Sequence, residues 1–211
     1  MTRIFIVRHG ESEANLRHLI AGHTDMHLTP LGLEQAEITA EHLSGEPITA
    51  VYSSDLARAM QTAKPHAARR GLDVIPVPEL REAFCGEWEA REVTELAEEY
   101  PEEYSNGFLR HFGSCTIPGG EYIPDVGKRA LHKLLEIAKR HEGETILVAS
   151  HGATIRILWA MISDLPFERI DAELPYPSNA SYSVAEYDGE RIVPVEFSHD
   201  GHLPFVTHVH L

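Results

Sequence analysis

Two apolar runs in this chain each lead into a His-Gly pair, and that repetition narrows the folds open to it. Ile4 to Val7 leads into Arg8-His9-Gly10, and Thr145 to Ala149 leads into Ser150-His151-Gly152. Short apolar runs without alternation read as strands buried on both faces of a sheet. A third run, Ala50 to Ser54, leads into Asp55-Leu56-Ala57-Arg58 at a helix start. Strands that alternate with helical patterns predict an α/β fold: a three-layer sandwich with a mostly parallel central sheet and helices on both faces. Ligands of open α/β sheets bind beyond the C-terminal ends of strands. Here three such ends offer two histidines and two arginines. Fixed guanidiniums and imidazoles suit a tetrahedral oxyanion, of which phosphate is the commonest.

The intervening segments support this reading. A short helix is expected between Glu11 and Arg17, followed by a loop over 18–28. Thr29 is the N-cap and Pro30 the first residue of a helix in which Leu33, Ala36, Ala40 and Leu43 recur at helical spacing. Asp55 is expected to cap the next helix, with Arg58 in its first turn, where the helix dipole adds to its pull on an anion. Pro65 should kink or break that helix. Asp73 to Val77 reads as a strand, about 125–141 as a long amphipathic helix, and the stretch after His151 as a helix to about Ser163. Asp188-Gly189-Glu190 marks a hairpin between 181–187 and 191–197. Residues 83–122 read as a helical lid inserted into a single domain of 1–211. Within it Tyr100, Tyr104, Phe108 and Phe112 recur every four residues, and packing within the lid is their expected use.

The net charge of −15 excludes general binding to nucleic acid or to anionic membranes. No apolar run approaches the roughly 20 residues of a membrane span, and the best candidate, Ile155 to Ile162, carries Arg156. The four apolar residues before Arg8 are too few for a signal peptide. Cys85 and Cys115 lack metal-binding or disulfide spacing, which points to a reducing, cytoplasmic compartment. His199, His202, His208 and His210 match no metal-ligand pattern and are expected as solvated tail. Neither a metal nor a cofactor is expected. Oligomeric state stays open, with a homodimer among the outcomes.

Arg8-His9-Gly10-Glu11-Ser12 with Asn15, Ser53-Ser54-Asp55-Leu56-Ala57-Arg58-Ala59 with Gln61-Thr62-Ala63, and Ser150-His151-Gly152 together resemble the histidine phosphatase superfamily, which also contains the cofactor-dependent phosphoglycerate mutases. Leu80 to Glu89 resembles the glutamate loop of that family, with Ala90 where Gly-x-Trp-Glu-Gly has its last glycine. The resemblance implies a small phosphorylated substrate and His9 as the nucleophile, forming a phosphohistidine. It further implies Arg8 and Arg58 as phosphate clamps, Asn15 as a neutral donor, and a protonated His151 as a charge stabiliser. Glu82 would be the acid and base, with Glu79, Glu87 and Glu89 close by as alternatives. Gly22 and Gly152 are further expected substrate contacts. Among the functions implied, a metal-independent phosphatase leads, with a mutase and a non-catalytic phospho-ligand binder as alternatives. Ala14, Ala21 and a 92–120 region with Arg110 as its one basic residue against six glutamates disfavour the mutase. An intact acid disfavours the binder. Asn179 resembles part of the phosphatase branch without a role that follows from the sequence.

Overall fold

The computed structural model describes residues 1–204. Its centre is a six-stranded sheet in the order β3-β2-β4-β1-β5-β6. The strands are β1 Thr2–Arg8, β2 Ile48–Ser53, β3 Val74–Pro76, β4 Thr145–Ser150, β5 Tyr182–Tyr187 and β6 Ile192–His199. β1 to β4 run parallel, and β5 runs against both of its neighbours. Alternate residues of the apolar runs divide between two layers. Ile4, Ile6, Ala50, Tyr52, Ile146 and Val148 pack with α5 (Ile123–Arg140) and α6 (Gly152–Ile162). Phe5, Val7, Val51, Leu147 and Ala149 pack with Ala63 and Ala67 of α3 (Ala57–Ala68) and with Leu43, the cap residue of α2 (Pro30–His42). Burial on both sides explains why these strands show no polar alternation.

The expected insertion folds as short pieces rather than one helix. After 3₁₀ turns at Pro78–Leu80 and Gly86–Trp88 come α4 (Val93–Glu99), a π-helical stretch Pro101–Phe108 and a further turn at Phe112–Ser114. Trp88, Tyr104, Phe108 and Phe112 are buried in one cluster with Leu96, Ile123 and Ile157. Trp88 meets Tyr104 and Phe108 edge-on at 5.5 and 5.8 Å between centroids, a favoured aromatic geometry. The aromatic row therefore serves packing, as expected.

Three local expectations fail. Pro65 lies inside α3, which runs on to Ala68 because buried Ala63 and Ala67 hold it to the sheet. Asp55 does not cap α3: its carboxylate binds Arg81 at 2.6 and 2.5 Å, and Asp25 Oδ1 takes the Ala57 amide instead at 2.7 Å. His199 and His202 are not solvated tail. His199 ends β6 and both are partly buried against Tyr182; His208 and His210 lie outside the described residues. A short α7, Ile170–Glu173, links α6 to the hairpin. No helix among the described residues is long and apolar enough to cross a membrane.

Candidate active site

Register sets the site. Arg8 pairs with Ser150 across β1 and β4, so His9 and His151 leave adjacent strands side by side, with ring centroids 5.2 Å apart. α1 (Glu13–Leu16) begins at once after β1, capped by Ser12, whose hydroxyl accepts from the Asn15 amide. Arg8, His9, Ser12, Asn15, Gly22, Arg58 and Glu82 then share the wall of one pocket with Leu19, Ile20, Ala21, Ala83, Cys85, Phe108, Ala153 and Tyr176.

His9 is 4% exposed. Its Nδ1 lies 2.7 Å from the Gly10 carbonyl oxygen. A carbonyl only accepts, so Nδ1 carries the proton and Nε2 keeps its lone pair. Burial, then the charges of Arg58 and Arg8, hold this imidazole well below the usual histidine pKa, which keeps it neutral and nucleophilic.

Arg58 is buried at the start of α3, and its Nη1 and Nη2 donate to the carbonyls of Thr24 and Gly22 at 3.0 and 2.7 Å. Arg8 Nη1 donates to the Pro177 carbonyl, and its guanidinium lies over the Tyr176 ring, 5.1 Å from the centroid. Each arginine retains a buried Nε without a partner among the described residues. Burial lowers both pKa values, but guanidinium stays charged in proteins. Two desolvated positive charges thus stand beside a free imidazole lone pair, an environment built for an anion.

Asn15 Oδ1 accepts from Ser12 N, Ser12 Oγ and Asn179 Nδ2 at 3.0, 2.9 and 3.1 Å. With its oxygen so occupied, Asn15 offers its amide nitrogen as a neutral donor. Thr62 Oγ1 accepts from Gly10 N and donates to Arg58 O at 3.1 and 2.8 Å, coupling the His9 loop to the first turn of α3.

Of the four glutamates considered, Glu82 alone is on the pocket wall. Its carboxylate sits at the N-terminus of α6, accepting from Ala153 N at 3.1 Å and from Thr154 N and Oγ1 at 3.0 Å each. Among the described residues Oε2 accepts from Ala153 alone, so it keeps a lone pair for a transferring proton. Glu79 pairs with Lys133, Glu87 accepts from the Tyr100 hydroxyl, and Glu89 is spent on His23 N, Thr24 Oγ1 and Cys85 N. Arg129, on α5, donates to the carbonyls of Glu79, Arg81 and Glu82, each at 2.8 Å, and holds the loop that carries Glu82.

Two expectations need correction. His151 is fully buried and is not among the wall residues; its Nε2 lies 2.8 Å from Ser54 Oγ. Burial, then Arg58 and His9, hold it well below the usual histidine pKa, so the protein by itself favours neutral His151, not the protonated form. Gly152 is also off the wall. It makes room for Tyr176, whose ring would lie 2.2 Å from a Cβ placed there. Gly22, by contrast, is on the wall and turns with φ +50°, and a Cβ would strike Glu89.

The sequence reading missed Tyr176, Thr154, Arg129 and Cys85. Tyr176 and Arg129 sit outside any motif, and pairing across more than forty residues leaves no local signal. Cys85 is no nucleophile, because burial and the Glu82 charge push its thiol well above the usual range.

The family model of the histidine phosphatase superfamily (branch 1) matches residues 4–200. The chain is 40% identical over 159 residues to phosphoglycerate mutase-like protein 4 of Arabidopsis thaliana, covering 74% of this chain and 69% of that one. It is 39% identical over 167 residues to the metal-independent phosphoserine phosphatase of the same plant, covering 77% and 69%. Phosphoserine phosphatase 1 of Hydrogenobacter thermophilus is 31% identical over 203 residues, 96% and 95% of the two chains. Among solved structures, Bacillus stearothermophilus YhfR superimposes with a TM-score of 0.89 at 28% identity, covering 96% of this chain and 99% of that one.

Proposed function

The chain belongs to branch 1 of the histidine phosphatase superfamily, and on that footing we propose that it is a metal-independent phosphomonoesterase acting on a small phosphorylated metabolite. The observation that carries the reading is the His9 tautomer: Nδ1–H fixed on Gly10 O, with Nε2 free beside two buried arginines. In the first step the Nε2 lone pair attacks phosphorus as the P–O bond to the alcohol breaks, and Glu82 protonates the departing oxygen. In the second, Glu82 takes a proton from water, whose oxygen attacks phosphorus. The P–N bond breaks, inorganic phosphate leaves, and His9 returns neutral. Arg8, Arg58 and Asn15 bind the equatorial oxygens throughout. The phosphate's own negative charge favours protonation of His151, against the burial that otherwise keeps it neutral.

Residues 83–122 act in this reading as a lid of one catalytic domain, supplying Ala83, Cys85 and Phe108 to the wall. One basic residue against six glutamates over 92–120 leaves little there to grip a second phosphate, which favours hydrolysis over the mutase reaction. The two buried, reduced cysteines suit a cytoplasmic location. Phosphoserine, named for two of the relatives, is the first substrate to test. A panel of phosphorylated metabolites assayed for phosphate release with EDTA present should yield a substrate whose turnover survives the chelator. No release from any member, or a loss restored by one divalent ion while the melting temperature stays unchanged, overturns the proposal.

A further inference from the structure

We propose that His42, His199 and His202 form a site for one divalent transition ion of the zinc type, which fastens the end of β6 to the end of α2. One ring nitrogen from each lies within 4.8 Å of the others. Ring centroids are 4.7, 5.8 and 6.0 Å apart, and the ring planes lie within 20° of one another. Three imidazoles around one zinc, at about 2.0–2.1 Å per bond, set their centres on the order of 5–6 Å apart.

The hydrogen bonding supplies the second argument. Each histidine has one nitrogen facing an oxygen: His42 Nε2 and Tyr182 Oη at 3.3 Å, His199 Nδ1 and Glu196 Oε1 at 2.8 Å, His202 Nε2 and Thr39 Oγ1 at 2.9 Å. The other nitrogen of each has no hydrogen-bond partner among the described residues, and that of His202 is buried. Thr39 Oγ1 also lies 3.0 Å from the carbonyl oxygens of Gln35 and Ala180. Its one proton goes to a carbonyl, so it accepts from His202 Nε2–H and leaves Nδ1 as a lone pair. Glu196 likewise holds the proton of His199 on Nδ1 and leaves Nε2 free. Metal-bound histidines are held in this way, with the outer nitrogen on an oxygen and the inner one on the ion.

Three imidazoles without a carboxylate among them suit zinc, cobalt, nickel or copper rather than magnesium or calcium. His42 is exposed, so an ion has a path in and solvent can complete a tetrahedron. None of the three is on the pocket wall, so the ion's role is structural and separate from phosphate chemistry.

The test strips the full-length protein with EDTA, then titrates Co²⁺ by its visible absorption and Zn²⁺ by calorimetry and thermal unfolding. One equivalent should bind and raise the melting temperature. His42→Gln and His199→Gln should each weaken binding by at least about 10–100-fold, and Glu196→Gln by about tenfold, within the range for an outer partner. Metal-free melting temperatures close to that of the parent verify that the variants fold. A His208→Ala/His210→Ala variant should still bind one equivalent. The proposal falls if millimolar metal gives neither a cobalt spectrum nor a shift in melting temperature. It also falls if binding survives His42→Gln and His199→Gln, or is lost with His208 and His210. Phosphate release is not a readout in any arm, so the phosphatase reading stands or fails separately.

Discussion

The side-chain Nδ2 of Asn179 lies 3.1 Å from the main-chain oxygen of His9, across 170 residues of sequence. The same nitrogen is 3.1 Å from Asn15 Oδ1, so one fully buried amide ties the backbone of the proposed nucleophile to the proposed neutral donor. In the proposed mechanism Asn179 is a positioning residue, acting through the two groups it holds.

Asn179→Ala should therefore lose activity by misplacement. His9 O still accepts from Ala180 N, so the stability loss should stay near the net worth of the two hydrogen bonds removed, about 1–3 kcal/mol. kcat/KM should drop about tenfold, the equivalent of roughly 1.4 kcal/mol of transition-state binding. Steady-state kinetics and urea unfolding check the pair, and loss of stability with unchanged kcat/KM would deny the positioning role.

Ala90 stands in the left-handed region at φ +60°, where the related loops carry glycine. The position is exposed, and its N–H is held by the Ile20 carbonyl at 2.8 Å. A left-handed alanine costs roughly 1–2 kcal/mol, which outweighs the extra chain entropy that glycine loses on folding. Ala90→Gly should stabilise the protein by about 0.5–1 kcal/mol, raising the melting temperature by about 1–4 °C at this chain length. A lower melting temperature would contradict the strain argument.

Much of this layout was legible in the chain itself. Ile4 to Val7 and Thr145 to Ala149 declared doubly buried strands, and their ends located Arg8, His9 and His151. Arg58 followed from a helix start at a third strand end. Glu82 was legible only through resemblance, since four glutamates lie within eleven residues and partners far away in sequence, Ala153 and Thr154, single out the one at the pocket. Pro65 misled because local propensity says nothing of the sheet that holds α3 together. That His151 is neutral in the protein by itself was not legible, because desolvation depends on the whole fold. His199 and His202 looked like tail because their partner His42 lies more than 150 residues earlier.

His66 gives a pH test of the fold. It is fully buried, with neither ring nitrogen hydrogen-bonded among the described residues, and burial, then Arg70 and Arg69, lower its pKa to about 3. Above pH 6.5 it is neutral in both states and contributes no pH dependence. Between 6.5 and about 3 the unfolded chain takes a proton that the fold refuses, so stability falls as pH drops. One such group contributes about 1.4 kcal/mol per pH unit. His9 and His151 act in the same direction, so the His66→Leu difference isolates one proton. Urea unfolding from pH 7 to 5 should show the variant losing less stability than the parent, and parallel losses would refute the assignment.

Damage from Glu82→Gln should depend on the leaving group. A basic alkoxide needs the proton, so kcat/KM for an alkyl phosphate should fall by about 10²–10⁴-fold. For p-nitrophenyl phosphate, whose phenolate departs unaided, the loss should be much smaller. Equal losses on both substrates would remove Glu82 from the acid role.

The central claim is that the free Nε2 of His9 takes up the phosphoryl group. Turnover of a phosphorylated substrate, quenched rapidly without acid and followed by peptide mass spectrometry, tests it most directly. An acid-labile phosphate should appear on the peptide containing His9, formed within the first turnover and absent from His9→Ala, which should be inactive. Phosphate found on another residue, or a His9→Ala variant with substantial activity, would contradict it.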